Sequence, residues 1–159
     1  MKTFTGLLLT LLLLSTTALG QSRNFPAQDQ WAGVSTGFPL GIVLHYGIND
    51  LVAEDFDARF NLSAVTFLGS QFYVSGGADA LYVLGLDTDD LPLDVYAGGG
   101  LNVGLGIGEG GGFSVGARGI GGVELAVADQ LGVFSELRLG LGFNPIFRPE
   151  LAIGVNYHF

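Results

Sequence analysis

The stretch Leu151-Ala152-Ile153-Gly154-Val155-Asn156-Tyr157-His158-Phe159 alternates strictly in character. Its odd positions are apolar or aromatic, and its even positions are small or polar. A side-chain period of two belongs to a β-strand, because successive Cβ atoms of an extended chain point to opposite faces. These nine residues therefore make a strand with one apolar face and one polar face.

The same alternation runs back through the chain in seven further segments, at about 31–38, 42–48, 56–64, 72–86, 91–105, 113–125 and 133–143. In the third, Phe56, Ala58, Phe60, Leu62 and Ala64 alternate with Asp57, Arg59, Asn61 and Ser63. In the fifth, Val95, Leu101 and Val103 oppose Asp94, Tyr96 and Asn102. In the seventh, Leu137, Leu139 and Leu141 oppose Glu136, Arg138 and Gly140. Between the segments lie turn-forming or polar stretches at 39–41, 49–55, 67–70, 87–90, 106–112, 128–130 and 144–149. The count is eight strands in one domain, 30–159.

Residues 1–20 read as a secretory signal peptide. Lys2 precedes the apolar run 6–14, and Ala18 and Gly20 are the small residues before a cut. That run is shorter than the roughly 20 residues a membrane helix needs. Residues 21–29 show no period and are expected to form a flexible lead-in. No cysteine is present, so no disulfide framework holds the exported chain. Lys2 is the sole lysine, and beyond residue 20 five arginines oppose fifteen acids, a net charge of about −10. This balance excludes a basic patch for nucleic acid or for an anionic surface.

Which face meets which solvent follows from composition. Only 13% of residues are charged and 48% are hydrophobic, whereas soluble domains carry about a quarter charged. The apolar residues are spread through alternating segments, as a membrane barrel requires. The apolar face then points outward and the polar face into a lumen. Glycine, at 27 residues, suits the tight curvature of a small closed barrel. An even strand count puts both ends of the barrel sequence on one side. Phe38, Phe72, Phe113 and Phe143 then form one outward aromatic girdle, and Phe56, Tyr82, Tyr157 and Phe159 the other. The alternative of a soluble exported barrel would invert the faces and place Arg59, Arg118 and Arg138 in water.

The alternating, aromatic-ended closing strand resembles that of bacterial outer-membrane β-barrels. Over 30–159 the pattern is similar to the small eight-stranded barrels of the OmpA/OmpX/OmpW type. The resemblance implies an all-β, antiparallel, up-and-down transmembrane barrel in the bacterial outer membrane. It also implies that Tyr157 and Phe159 form the C-terminal insertion signal read by the barrel-assembly machinery. The expected partners are outer-membrane lipids and that machinery, with the protein a monomer.

The candidate functional residues are the inward charges Asp57, Arg59, Asp79, Asp94, Arg118, Glu124, Glu136 and Arg138. An eight-stranded barrel is only wide enough for side chains to fill it, so these are expected to form a polar network plugging the lumen. A narrow pore, or a carrier of a small hydrophobic molecule, is the competing reading. Catalytic, cofactor and metal sites are not expected. His45 shows no serine or cysteine partner at a suggestive spacing, and His158 falls at a rim. Asp87, Asp89 and Asp90 form an acidic turn without an EF-hand pattern. The glycine-rich 104–112 lacks the following helix that a phosphate cradle needs. The function expected is structural support of the envelope.

Overall fold

A computed structural model describes residues 24–25, 28–53, 55–67, 71–88, 91–108, 111–143 and 147–159. The expected signal peptide lies outside the described residues, as do most of the lead-in and the Asp89 and Asp90 pair.

Eight strands form: β1 Gln30–Phe38, β2 Gly41–Ala53, β3 Phe56–Phe67, β4 Gln71–Thr88, β5 Leu91–Ile107, β6 Phe113–Ala128, β7 Leu131–Phe143 and β8 Phe147–His158. Each pairs antiparallel with the next, and β8 returns to β1, setting Trp31 against His158 and Val34 against Val155. Closure satisfies the backbone groups that an open sheet edge would leave unpaired. The result is an up-and-down barrel. At its terminal end lie the start of β1, the ends of β2, β4, β6 and β8, and the starts of β3, β5 and β7. At its loop end lie the ends of β1, β3, β5 and β7 and the starts of β2, β4, β6 and β8.

The alternation sorts side chains as expected from the sequence. Phe38, Leu101 and Phe143 project from the exterior with 67%, 68% and 77% of their surface exposed. The intervening positions are buried in the interior, among them Val43, Asp57, Tyr96, Glu136 and Ala152. Large inward side chains are accommodated by glycine on the neighbouring strand. Trp31 pairs with Gly47, Tyr96 with Gly122 and Phe134 with Gly154. A Cβ on any of these glycines would collide with the ring opposite.

Most strand ends differ from the sequence expectation by one to three residues, and three regions depart further. The connection expected at 49–55 is mostly strand, because β2 continues to Ala53 through a register irregularity between Ile48 and Ala53. Asp50 and Asp55 take left-handed φ values of 54° and 66°, and Asp55 N–H donates to Asp50 Oδ1 at 2.8 Å. A bulge of this kind breaks the period of two while the ladder persists. At the other end, β8 begins at Phe147, ahead of Pro149. There β8 has run past its ladder with β1, which ends at Phe38 and Leu151, an edge position that proline tolerates.

The third difference concerns the lead-in, expected to be loose. Asn24 Nδ2 donates to Asp94 Oδ1 at 2.7 Å. Phe25 is buried and stacks on the His158 ring, with centroids 3.8 Å apart. Asn49 Nδ2 donates to the Gln28 carbonyl at 2.6 Å. An apolar ring and a polar anchor thus tie this segment into the terminal mouth.

Candidate functional site in the barrel interior

Arg59 and Glu136 are the largest fully buried side chains, and they form the centre of the interior. Arg59 projects inward from β3 and Glu136 from β7. Arg59 Nη1 donates to Glu136 Oε2 at 2.5 Å, and Arg59 Nε donates to Asp79 Oδ2 at 2.9 Å. Asp79, on β4, also receives Arg118 of β6 in a bidentate grip, from Nε at 2.8 Å and from Nη2 at 2.9 Å. Asn61 Nδ2 completes its shell at 3.1 Å. Glu136 accepts as well from Tyr96 Oη at 3.1 Å and from Arg138 Nε. The chain of charges continues through Arg138 to Glu150 and from Glu150 to Arg148 Nε at 2.7 Å.

Charges this deep are tolerated because each is paired and hydrogen-bonded. Guanidinium forks are suited to bridging two carboxylates, since their N–H donors diverge in one plane. Asp79 and Glu136 are each shared by two arginines, which ties β3, β4, β6 and β7 together across the lumen.

The eight inward charges do not all meet at one centre. Asp79, Arg59, Arg118, Glu136 and Arg138 make the central cluster. Glu124 instead accepts from Asn156 Nδ2 at 3.0 Å and bonds His158 Nε2 at 2.9 Å, near the terminal end. Asp94 binds Asn24, and Asp57 accepts from the Asp50 N–H at 3.2 Å. His158, expected at the rim, is buried beneath Phe25 and bonded to Glu124, because the lead-in covers it.

Several interior contributors went unrecognised in the sequence. Leu81, Val83 and Ile120 form an apolar cluster inside the barrel with Tyr96, whose inward direction follows from the alternation of the fifth segment. Parity along β4 and β6 would have placed Leu81, Val83 and Ile120 inward too. Arg148 and Glu150 escaped because Pro149 suggested that the strand starts later. His45 does have a serine partner: its Nε2 shares a 2.8 Å hydrogen bond with Ser35 Oγ, across β1 and β2. Both side chains are buried. His45 Nδ1 has no hydrogen-bond partner among the described residues, so no carboxylate orients this ring as a triad would require.

Two small cavities flank the central cluster. One, of about 30 Å³, lies toward the terminal end among Phe25, Trp31, Arg59, Tyr96, Glu124 and His158. The other, of about 50 Å³, lies toward the loop end beside Arg118 and Arg138. No group of three or more potential metal ligands occurs among the described residues.

The outward aromatics form two belts. Phe38, Phe72, Phe113 and Phe143 sit near the loop end. Phe56, Tyr82, Tyr157 and Phe159 sit near the terminal end, where Phe56 and Tyr82 have centroids 5.1 Å apart and Tyr157 and Phe159 6.1 Å. Along β4, the ten steps from Phe72 to Tyr82 span about 25 Å of barrel height at roughly 3.3 Å each and a tilt of about 40°.

No family model matches the chain, and no curated protein matches it in sequence. Among solved structures, the fold is similar to Neisserial surface protein A. The TM-score is 0.58 with 18% identity, over 82% of this chain and 93% of that one. It is also similar to the N-terminal β-barrel domain of Pseudomonas aeruginosa OprF, with a TM-score of 0.57 and 16% identity, over 83% and 98% of the two chains. The fold is thus that of the small eight-stranded outer-membrane barrels.

Proposed function

We propose that this chain is an integral outer-membrane protein, a monomer whose barrel supports the structure of the envelope and whose lumen is closed by its own side chains. The observation that carries the reading is the sorting of charge. Between the two aromatic belts, the described outward positions hold no Asp, Glu, Lys or Arg. Such an exterior suits a hydrocarbon layer about 25 Å thick, bounded by rings at headgroup level. Lipids of the outer membrane are then its surrounding partner. We assign to the outward Tyr157 of β8 and the adjoining Phe159 the contact with the barrel-assembly machinery. The reading calls for no cofactor and no catalytic step.

Closure of the lumen is supported by the Arg59–Asp79–Glu136 cluster between two cavities too small for a continuous path. A narrow pore or a ligand carrier would need open space through that point. The test is fractionation of envelopes combined with conductance. Detergent-dependent recovery in the outer-membrane fraction, with no steady conductance in planar bilayers, is expected. A protein monodisperse without detergent would overturn the membrane reading, and a steady ohmic current would overturn the closed lumen.

A further inference from the structure

We propose that Asn24 and Phe25 form a releasable latch across the terminal mouth, a second closure of the lumen in series with the Arg59–Glu136 cluster. The lead-in crosses that mouth. The chain enters β1 at Gln30, whereas Asn24 is bound to Asp94 on β5, the strand opposite β1 in the eight-strand order. Phe25 lies nearly parallel to the His158 ring of β8, with 9° between the planes, and only 3% of its surface is exposed. Trp31 flanks the same imidazole at 6.2 Å.

The hold on this segment differs in kind from the hold on the strands. Every strand is fixed by a backbone ladder on both sides. The lead-in is fastened near β1 by Asn49, whose N–H donates to the Asp29 carbonyl at 2.8 Å and whose Nδ2 donates to the Gln28 carbonyl. Farther out, Asn24 donates to Asp94 Oδ1 from its backbone N–H at 3.3 Å and from Nδ2 at 2.7 Å, and the Phe25 ring is buried. A segment held by a few side-chain contacts and no ladder opens locally while the rest of the fold stays intact.

The latch covers a defined space. Phe25 forms part of the wall of the terminal-end cavity of about 30 Å³, together with Trp31, Val83, Glu124, His158 and Arg59 of the central cluster. That volume holds water and excludes organic solutes. With the ring withdrawn, the volume it occupied joins the cavity, and Glu124 and His158, 8% and 5% exposed with the latch shut, meet solvent at this end. The Arg59–Glu136 cluster still blocks the way onward. Opening the latch therefore admits solute to the terminal half of the lumen without making a pore.

The chain has no cysteine, so single reporter thiols can test this. Val83→Cys lies in the cavity wall and Ser114→Cys beyond the cluster at the loop end. Each is made in the full chain, folded in an uncharged detergent, and its rate of modification by a cationic, water-soluble methanethiosulfonate is measured. Val83→Cys should react slowly but to completion. Adding Phe25→Ala should raise its rate about tenfold to a hundredfold, the range that burial of one ring corresponds to. Adding Asn24→Ala should raise it about threefold, as for loss of one hydrogen bond. The Ser114→Cys rate should stay unchanged in both. No reaction of Val83→Cys behind the native lead-in would overturn release, and equal rates with and without Phe25 would overturn closure. A parallel rise at Ser114→Cys would mean general loosening and would overturn the latch. If Phe25→Ala does not fold, Asn24→Ala decides, and an unchanged rate overturns the proposal. Reactivity in detergent is independent of membrane insertion, so each of these outcomes leaves that reading untouched.

Discussion

Arg59 of β3 and Glu136 of β7 stand on strands diametrically opposed in the eight-strand order, and their side chains meet at 2.5 Å in the middle of the lumen. Backbone ladders join only neighbouring strands. This pair braces the barrel across its diameter, with Asp79 and Arg138 as lateral ties.

Removing one member of the brace should leave its partner charged, buried and unpaired. Arg59→Ala is therefore expected to cost about 3–5 kcal/mol of unfolding free energy. Arg59→Met combined with Glu136→Gln should lose about 0.5–3 kcal/mol less than the sum of the two single changes. Equilibrium urea unfolding in lipid vesicles measures both. Strict additivity would mean that the two groups do not interact.

On the exterior, the cost of a charge should depend on depth. Leu101 lies midway on β5 between Ala97, the register partner of Tyr82 in one belt, and Leu105, the partner of Phe113 in the other. Leu101→Arg is expected to destabilise by about 2–4 kcal/mol in bilayers, and Phe143→Arg at the belt by about 0–1 kcal/mol beyond the loss of the ring. Equal penalties in unfolding experiments would contradict a lipid-facing belt.

Glycines of β6 should divide by face. A Cβ on inward Gly122 would overlap the Tyr96 ring, whereas Gly119 and Gly121 have open space where theirs would lie. Gly122→Ala should cost about 1–3 kcal/mol through overpacking. Gly121→Ala should be neutral, or stabilise by about 0.4–1 kcal/mol through the unfolded chain. Thermal unfolding of the two variants side by side checks the assignment of faces.

Phe25 stacked on His158 should shift the imidazole carbon-bound protons upfield by ring current. Phe25→Leu should return them toward ordinary values and raise the solvent accessibility of the Glu124–His158 pair. Proton resonances of His158 that are identical in the two proteins would show that the lead-in does not dock in the terminal mouth.

The strands were legible because each carries its own signal: polar and apolar positions alternate within every segment, from Trp31–Phe38 to Leu151–Phe159. The inward direction of Arg59, Asp79 and Glu136 followed from that parity together with the low charge content. Their partnerships did not. Whether Arg59 meets Glu136 or Glu124 depends on strand stagger and on reach across the lumen, and neither is encoded within a single strand. The β2 bulge hid strand residues behind a left-handed Asp50, and Pro149 masked the start of β8. Phe25 was invisible because docking of one aromatic residue leaves no periodicity. His45 and Ser35 are ten residues apart, a separation that conveys nothing until a hairpin folds them together.

The most direct test of the central claim, that the exterior faces lipid and the interior does not, uses tryptophan quenching by lipids brominated at mid-chain. Trp31 is the sole tryptophan and is buried inside the barrel. The native protein should therefore be quenched weakly, and Trp31→Phe combined with Leu101→Trp strongly. Quenching of Trp31 equal to or greater than that of a tryptophan at position 101 would contradict the account.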